Sequence, residues 1–186
     1  ALPIYLKKAK DIAALLVEGK KIGFLDEKGI IQTPAGYSSS LENISGLMYI
    51  SSNDIINAKL EEYNVPTLKL IRQNIVLGIG CRKNFSEDKM NQTVIRMLKQ
   101  YNIDVRAIKS IATVNVKKDE LAIKALADYF KCQLKIFTTE DIKKVQHKFS
   151  GSDFVEKTIG VRAVCEPCVE LSGAKIMTIK MKLNGM

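Results

Sequence analysis

Four short stretches of the chain carry residue types that can do chemistry. In Gly78-Ile79-Gly80-Cys81-Arg82 two glycines follow an apolar run and precede a helix start at Ser86. Glycine lets backbone amides come close to a ligand, and a helix N-terminus behind it favours an anion such as a carboxylate. A tight structural turn would use the same two glycines. The stretch lacks the third glycine and downstream acid of a dinucleotide fingerprint, and the Gly-Lys-Ser/Thr of a phosphate loop. The second stretch runs from Thr113 to Lys117-Lys118-Asp119-Glu120, from a strand end into a helix start. A hydroxyl, an ammonium and a carboxylate converging there can orient a carbonyl and a water, because open α/β sheets bind ligands at their strand ends. Asp119 and Glu120 equally suit the first turn of a helix.

In the third stretch Ser152 reads as a helix N-cap, and Arg162 with Glu166 reads as an i,i+4 pair or as a pair in a site. The fourth is Cys165-Glu166-Pro167-Cys168, the CxxC spacing of redox and zinc sites. Zinc would need two further ligands, and Cys81, Cys132 and His147 each stand alone. Reduced, metal-free thiols are therefore expected. His147 is the only histidine and sits in a polar stretch, so no serine-histidine-acid triad is readable. Any hydrolysis would rely on a carboxylate, a lysine or the substrate's own groups.

These residues need elements to hold them. Ile12, Ala13, Leu15 and Leu16 repeat at helical spacing over residues 9–18, and Gly19 suits a left-handed cap. KKIGFLD and GIIQT predict two short strands around Gly29, and GLMYIS predicts a third. TPAGYSSSLENISG between them is a loop by its turn residues. A second section opens near Asn74 with IVLGIGC, apolar enough for a strand buried on both faces. Ser86 caps a helix there with Glu87 and Asp88 in its first turn and Met90, Val94, Met97, Leu98 and Tyr101 along one stripe. VRAIKSIATV, ELAIKALADYF and QLKIF continue the alternation of strand and helix. Pro167 opens a helix running to Leu171, Gly173 ends it, and AKIMTIKMK predicts a last strand. The expected architecture is α/β: a small α/β domain over residues 1–72, then a layered α/β domain over 74–186 with a mixed sheet flanked by helices. Ala1 opens onto Leu2-Pro3 without a starting Met, and LNGM leaves the last strand without a closing turn, so the chain is expected to be a fragment.

With 186 residues and 46% hydrophobic content the chain can bury a core of ordinary composition. No apolar run reaches the roughly 20 residues of a membrane span, and no secretory signal opens the chain, which leaves a cytoplasmic address as the expectation. Lys and Arg number 29 against 20 acids, a net +9, which favours an anionic partner: nucleic acid, a membrane surface or a polycarboxylate. The basic residues are mostly lysines at helix-surface spacing, without the clustered Arg and aromatic residues of a single-strand binder. A solvated basic surface accounts for them as well.

The order and spacing of VLGIGCRKN, SIATVNVKKDELAIKALADYF, FTTEDI and SGSDFVEKTIGVRAVCEPCVELSGA resemble the C-terminal domain of the cobalamin-biosynthesis protein CbiG, the cobalt-precorrin-5A hydrolase family. The resemblance spans about residues 74–183 and extends to the isolated domain CobE. Residues 1–70 look like the CbiG middle region, with the family's N-terminal domain absent and the last strand cut short at Met186. It implies an enzyme acting on a cobalt-containing tetrapyrrole with acetate and propionate arms, which opens a δ-lactone between the ring A acetate and C20 and releases acetaldehyde. No cofactor is implied, since cobalt comes with the substrate; the implied partner is that tetrapyrrole, with no nucleic acid and no membrane. Amides of Gly78, Gly80 and Cys81 would then hold a carboxylate or oxyanion, and Arg82 would pair a substrate carboxylate. Thr113, Ser152 and Arg162 would complete the binding set. Glu120 or Glu166 would act as base toward water, with Lys117 polarising the lactone carbonyl. The stretches at 78–82, 113–120 and 152–166 are expected around one cleft. A non-catalytic tetrapyrrole carrier is the alternative, and a basic RNA-binding fragment a third.

Overall fold

A computed structural model describes residues 3–178, 180–183 and 185–186, with side chains from residue 6 onward. The chain divides into two compact units, Ala1–Arg72 and Gln73–Met186.

In the first unit, helix α1 (Pro3–Val17) ends at Gly19, whose φ of 70° makes the left-handed turn expected there. Strands β1 (Ile22–Asp26), β2 (Gly46–Ser51) and β3 (Thr67–Ile71) form one parallel sheet in the order β1-β2-β3. Ile12, Ile22 and Leu68 bury one apolar cluster against α1, and Ile44, Leu47, Tyr49 and Leu60 another, the last from the short helix α2 (Ala58–Glu61). The strand expected over GIIQT does not form. The Asp26 carboxylate accepts the backbone N–H groups of Lys28 at 3.2 Å, Ile30 at 2.7 Å and Ile31 at 2.8 Å, so a local turn takes the donors a ladder would need. Arg72 reaches the same carboxylate at 2.6 Å. Burial opposes ionisation of Asp26, but these four donors outweigh it and hold its carboxyl below the ordinary range.

The second unit alternates strand and helix: β4 (Ile75–Gly78), α3 (Glu87–Gln100), β5 (Ile108–Val114), α4 (Leu121–Phe130) and β6 (Gln133–Phe137). Three short helices follow, α5 (Thr139–Val145), α6 (Asp153–Ile159) and α7 (Cys165–Leu171). The strands are parallel in the order β4-β5-β6, Gly78 pairing with Ala112 and Val114 with Phe137. Parallel neighbours require crossovers, which α3 and α4 supply. β5 is the central strand and all but Lys109 of its residues are buried, as expected of a strand covered on both faces. One face packs Ala112 and Val114 against Ile142, Val161, Val164 and Cys168. Residues alternate across a strand, so Ile111 and Thr113 face the opposite side, that of the two crossover helices.

Ser86 caps α3 by accepting the Lys89 N–H, and Met90, Val94 and Leu98 form its buried stripe. Tyr101, expected on that stripe, is 43% exposed, because it is the C-cap residue where the helical phase ends. The layered α/β reading holds. Its sheet, however, is parallel throughout the described residues, because the segment expected as a last strand, 174–182, forms none there; Ile179 within it lies outside the described residues. No helix of the described residues is long and apolar enough to cross a membrane.

Candidate active site

The C-terminal ends of β4 and β5 deliver the loop 79–84 and the 3-10 turn Asn115–Lys117. Gly78 has no room for a side chain: a Cβ there would stand 2.2 Å from the Cys165 carbonyl oxygen and 2.8 Å from Val169 Cγ2. The glycine lets the start of α7 lie directly on β4. At Gly80 the Cys165 sulfur would be 3.6 Å from a Cβ, an ordinary contact.

The backbone of the loop is largely committed. Ile79 N–H donates to Ala112 O at 2.9 Å and Arg82 N–H to Gly185 O at 2.9 Å, while Gly80 N–H faces the Cys165 sulfur. The Cys81 N–H has no partner among the described residues. Thr113 is fully buried and donates its hydroxyl to Ile79 O at 2.8 Å, so it fixes the start of the loop rather than facing a ligand.

Glu120, the N-cap residue of α4, spans two segments. Its Oε2 accepts the Asn84 N–H at 3.0 Å and its Oε1 takes the Lys117 ammonium at 3.0 Å. The two side chains are only 16% and 11% exposed, so the pair is a strut between the loop and the helix start. Cys81 lies within reach of its charges. Burial first, then the negative charge of Glu120, push the Cys81 thiol up to about 11, with Lys117 offsetting part of the rise. A thiol so placed is neutral at physiological pH and is a poor nucleophile.

Across the loop, burial raises the Cys165 thiol; Lys180 opposes that rise and Glu166 adds to it. Glu166 is partly buried. Its Oε1 accepts the Lys180 N–H at 3.3 Å, while its Oε2 is buried with no hydrogen-bond partner. Lys117, Glu120, Cys81, Cys165, Glu166 and Lys180 thus form one row across the strand ends.

Two expected members lie outside it. Ser152 occupies the N-cap position of α6 without a side-chain capping bond, and its N–H donates to Arg162 O at 2.8 Å. Arg162 does not pair with Glu166: its guanidinium meets Asp153 at 3.0 Å and Glu156 at 3.7 Å, and its N–H donates to Gln146. The helix that would carry an i,i+4 pair begins only at Cys165, so Arg162 is on a turn and turns to α6. Of residues 152–166, only Cys165 and Glu166 join the row. Arg82 packs its guanidinium on Gly185, where a Cβ would stand 2.1 Å from Nε. Cys168 is fully buried in the core, its thiol pushed up to about 12 by burial and by Cys165. No group of three His, Cys, Asp or Glu side chains able to hold a metal occurs among the described residues.

Reading the sequence missed Asn84 and Lys180. A signal existed for Asn84, since an asparagine before a helix cap suits the positive φ of 57° it adopts. None existed for Lys180, one lysine of several in a segment expected as a strand.

Residues 75–186 match the family model described as Cobalamin synthesis G C-terminus. The chain belongs to that family. It is 34% identical over 152 residues to the cobalt-precorrin-5A hydrolase of Salmonella typhimurium, covering 82% of this chain and 42% of that protein. It is 31% identical over 146 residues to the probable cobalt-precorrin-5A hydrolase of Methanocaldococcus jannaschii, covering 77% of this chain and 42% of that protein. The chain therefore spans less than half the length of these relatives. The crystal structure of CobE, a protein from the cobalamin (vitamin B12) biosynthetic pathway, matches 59% of this chain and 83% of its own with a TM-score of 0.53 at 19% identity, a likeness of fold.

Proposed function

We propose that this chain is a segment of a cobalt-precorrin-5A hydrolase, acting on a cobalt-containing tetrapyrrole, opening its δ-lactone and leading to release of acetaldehyde. The reading rests on the 34% identity to the Salmonella typhimurium enzyme over 82% of the chain. The geometry supports a division of labour. Glu120 and Lys117 neutralise each other and hold the loop, so they are positioning residues. Glu166, with a buried and unpartnered Oε2, is the base. A water held at the Glu166 carboxylate gives that group its proton as the water oxygen bonds to the lactone carbonyl carbon. The Cys81 N–H, unpartnered among the described residues, faces the oxygen on which negative charge grows. Collapse of that intermediate breaks the ring C–O bond, and the proton returns from Glu166 to the leaving oxygen. The net charge of +9 suits a ligand with many carboxylates. Cobalt enters as part of the substrate.

The test incubates this chain and the Salmonella typhimurium relative in parallel with cobalt-precorrin-5A and assays acetaldehyde. Release by both is expected. Tetrapyrrole binding without acetaldehyde would move the reading to a carrier, and salt-dependent RNA binding without tetrapyrrole binding would overturn it.

A further inference from the structure

Several cations in and around the row are already spent, while Lys83 and Lys118, which have no ion pair among the described residues, are exposed. Lys117 is held by Glu120 at 3.0 Å, and Arg162 by Asp153 at 3.0 Å. Lys148 is paired with Glu170, and the Arg82 guanidinium is stacked on Gly185. Lys180 differs. Its backbone N–H is fixed on Glu166 Oε1 at 3.3 Å, which brings the residue into the row, and the residue is partly buried. Yet its ammonium has no ion pair among the described residues. Its charge is felt at the Cys165 thiol, whose sulfur lies against Gly80 at the floor of the loop.

An ammonium with no ion pair inside the protein is available to a carboxylate from outside it, and such a charge-assisted hydrogen bond is stronger than a neutral one. The Glu166 carboxylate next to it is held through one oxygen by the Lys180 backbone rather than by the ammonium, so the charge stays available. We propose that Lys180 is the cation that receives a carboxylate arm of the tetrapyrrole, seating the ligand so that its reacting carbonyl meets Glu166. This assignment rests on the tetrapyrrole reading above. It gives the C-terminal segment a recognition role beside the loop, to which Arg82 N–H and Gly185 O already tie it at 2.9 Å.

The experiment titrates the chain with uroporphyrin, an octacarboxylate tetrapyrrole, following its fluorescence, for wild type, Lys180→Met, Lys180→Arg and Lys182→Met. Lys182 is the control for general basic charge, since it is exposed on the same segment. Loss of one charge-assisted contact predicts binding weaker by about ten- to a hundredfold in Lys180→Met. Lys180→Arg should bind within about threefold of wild type and Lys182→Met should be unchanged, apart from the small salt-screened effect of one surface charge. Neither position lies in a helix or strand, so thermal midpoints should coincide and a folding defect is separable. If wild type binds and Lys180→Met binds equally well, or if Lys182→Met loses as much, the assignment of Lys180 is wrong while the tetrapyrrole reading stands. If wild type does not bind at all, that reading falls and the assignment falls with it.

Discussion

Replacing Gly78 and Gly80 separately by alanine tests whether α7 is seated on β4 as described. The two glycines are two residues apart, Gly78 at the end of β4 and Gly80 in the loop after it, but their surroundings differ. At Gly78 the new methyl would lie 2.2 Å from Cys165 O, 2.7 Å from Cys165 C and 2.8 Å from Val169 Cγ2. Two of these atoms are backbone and cannot rotate away. Restoring normal separation means moving the start of α7 by about 1 Å, and overpacking of this kind costs about 3 kcal/mol, the upper end of the usual range. At roughly 4 °C per kcal/mol for a unit of this size, the midpoint should fall by about 12 °C. At Gly80 the nearest atoms would be the Cys165 sulfur at 3.6 Å and Val164 Cγ1 at 3.9 Å, so Gly80→Ala should cost below about 1 kcal/mol. Thermal denaturation gives the energies, and thiol labelling with peptide mapping locates the damage. Cys168 on α7 is fully buried and should label faster in Gly78→Ala but not in Gly80→Ala. Equal stability of the two variants, or Cys168 equally protected in both, would refute the seating of α7 on β4.

Asp26→Ala should cost about 3 kcal/mol in the first unit, because it leaves Arg72 without its buried partner and three backbone donors without an acceptor. The folded pKa of Asp26 is below its unfolded value, near 3.8, so its contribution is complete above that value and disappears as pH falls through the folded one; the variant should show a flatter acid limb in denaturation. Cys168 behaves in the opposite sense: its folded pKa of about 12 exceeds the ordinary 9.0, so between these values the unfolded chain loses its proton first and stability falls as pH rises. Cys168→Ala should lessen that alkaline loss, measured against wild type by urea denaturation at pH 8 and 10. Glu120→Gln should cost about 1 to 2 kcal/mol through the lost partly buried pair. It should also lower the pH at which Cys81 becomes alkylatable, since the Glu120 charge is among the causes that raise that thiol to about 11.

The α/β layering was legible because β4, β5 and β6 are short apolar runs between amphipathic helices, and local pattern and tertiary burial agree there. GIIQT misled for a local reason: its apolar residues suit a strand, but Asp26 captures the amides of Ile30 and Ile31. β3 alternates polar and apolar residues from Thr67 to Leu70 and is absent from the expected strands, although Pro66 marks its start. AKIMTIKMK has strand-like composition, yet its described part runs beside the loop, tied by Lys180 N–H to Glu166 and by Gly185 O to Arg82. In the site, the strand ends at Gly78 and Thr113 could be located from the alternation of elements. Which acid was free could not, because that depends on Asn84 reaching Glu120 across a sequence separation of 36 residues. The i,i+4 reading of Arg162 with Glu166 rests on spacing alone, and the turn preceding α7 removes the helical geometry it needs.

The most direct measurement is the rate of acetaldehyde release from cobalt-precorrin-5A by the wild-type chain and by Glu166→Gln, at matched tetrapyrrole occupancy. If Glu166 is the base, the variant should bind the tetrapyrrole as wild type does and release acetaldehyde at least about a hundredfold more slowly, the usual contribution of general base catalysis. A wild-type chain that binds the tetrapyrrole and releases no acetaldehyde, or a Glu166→Gln variant that turns over at the wild-type rate, would contradict the account.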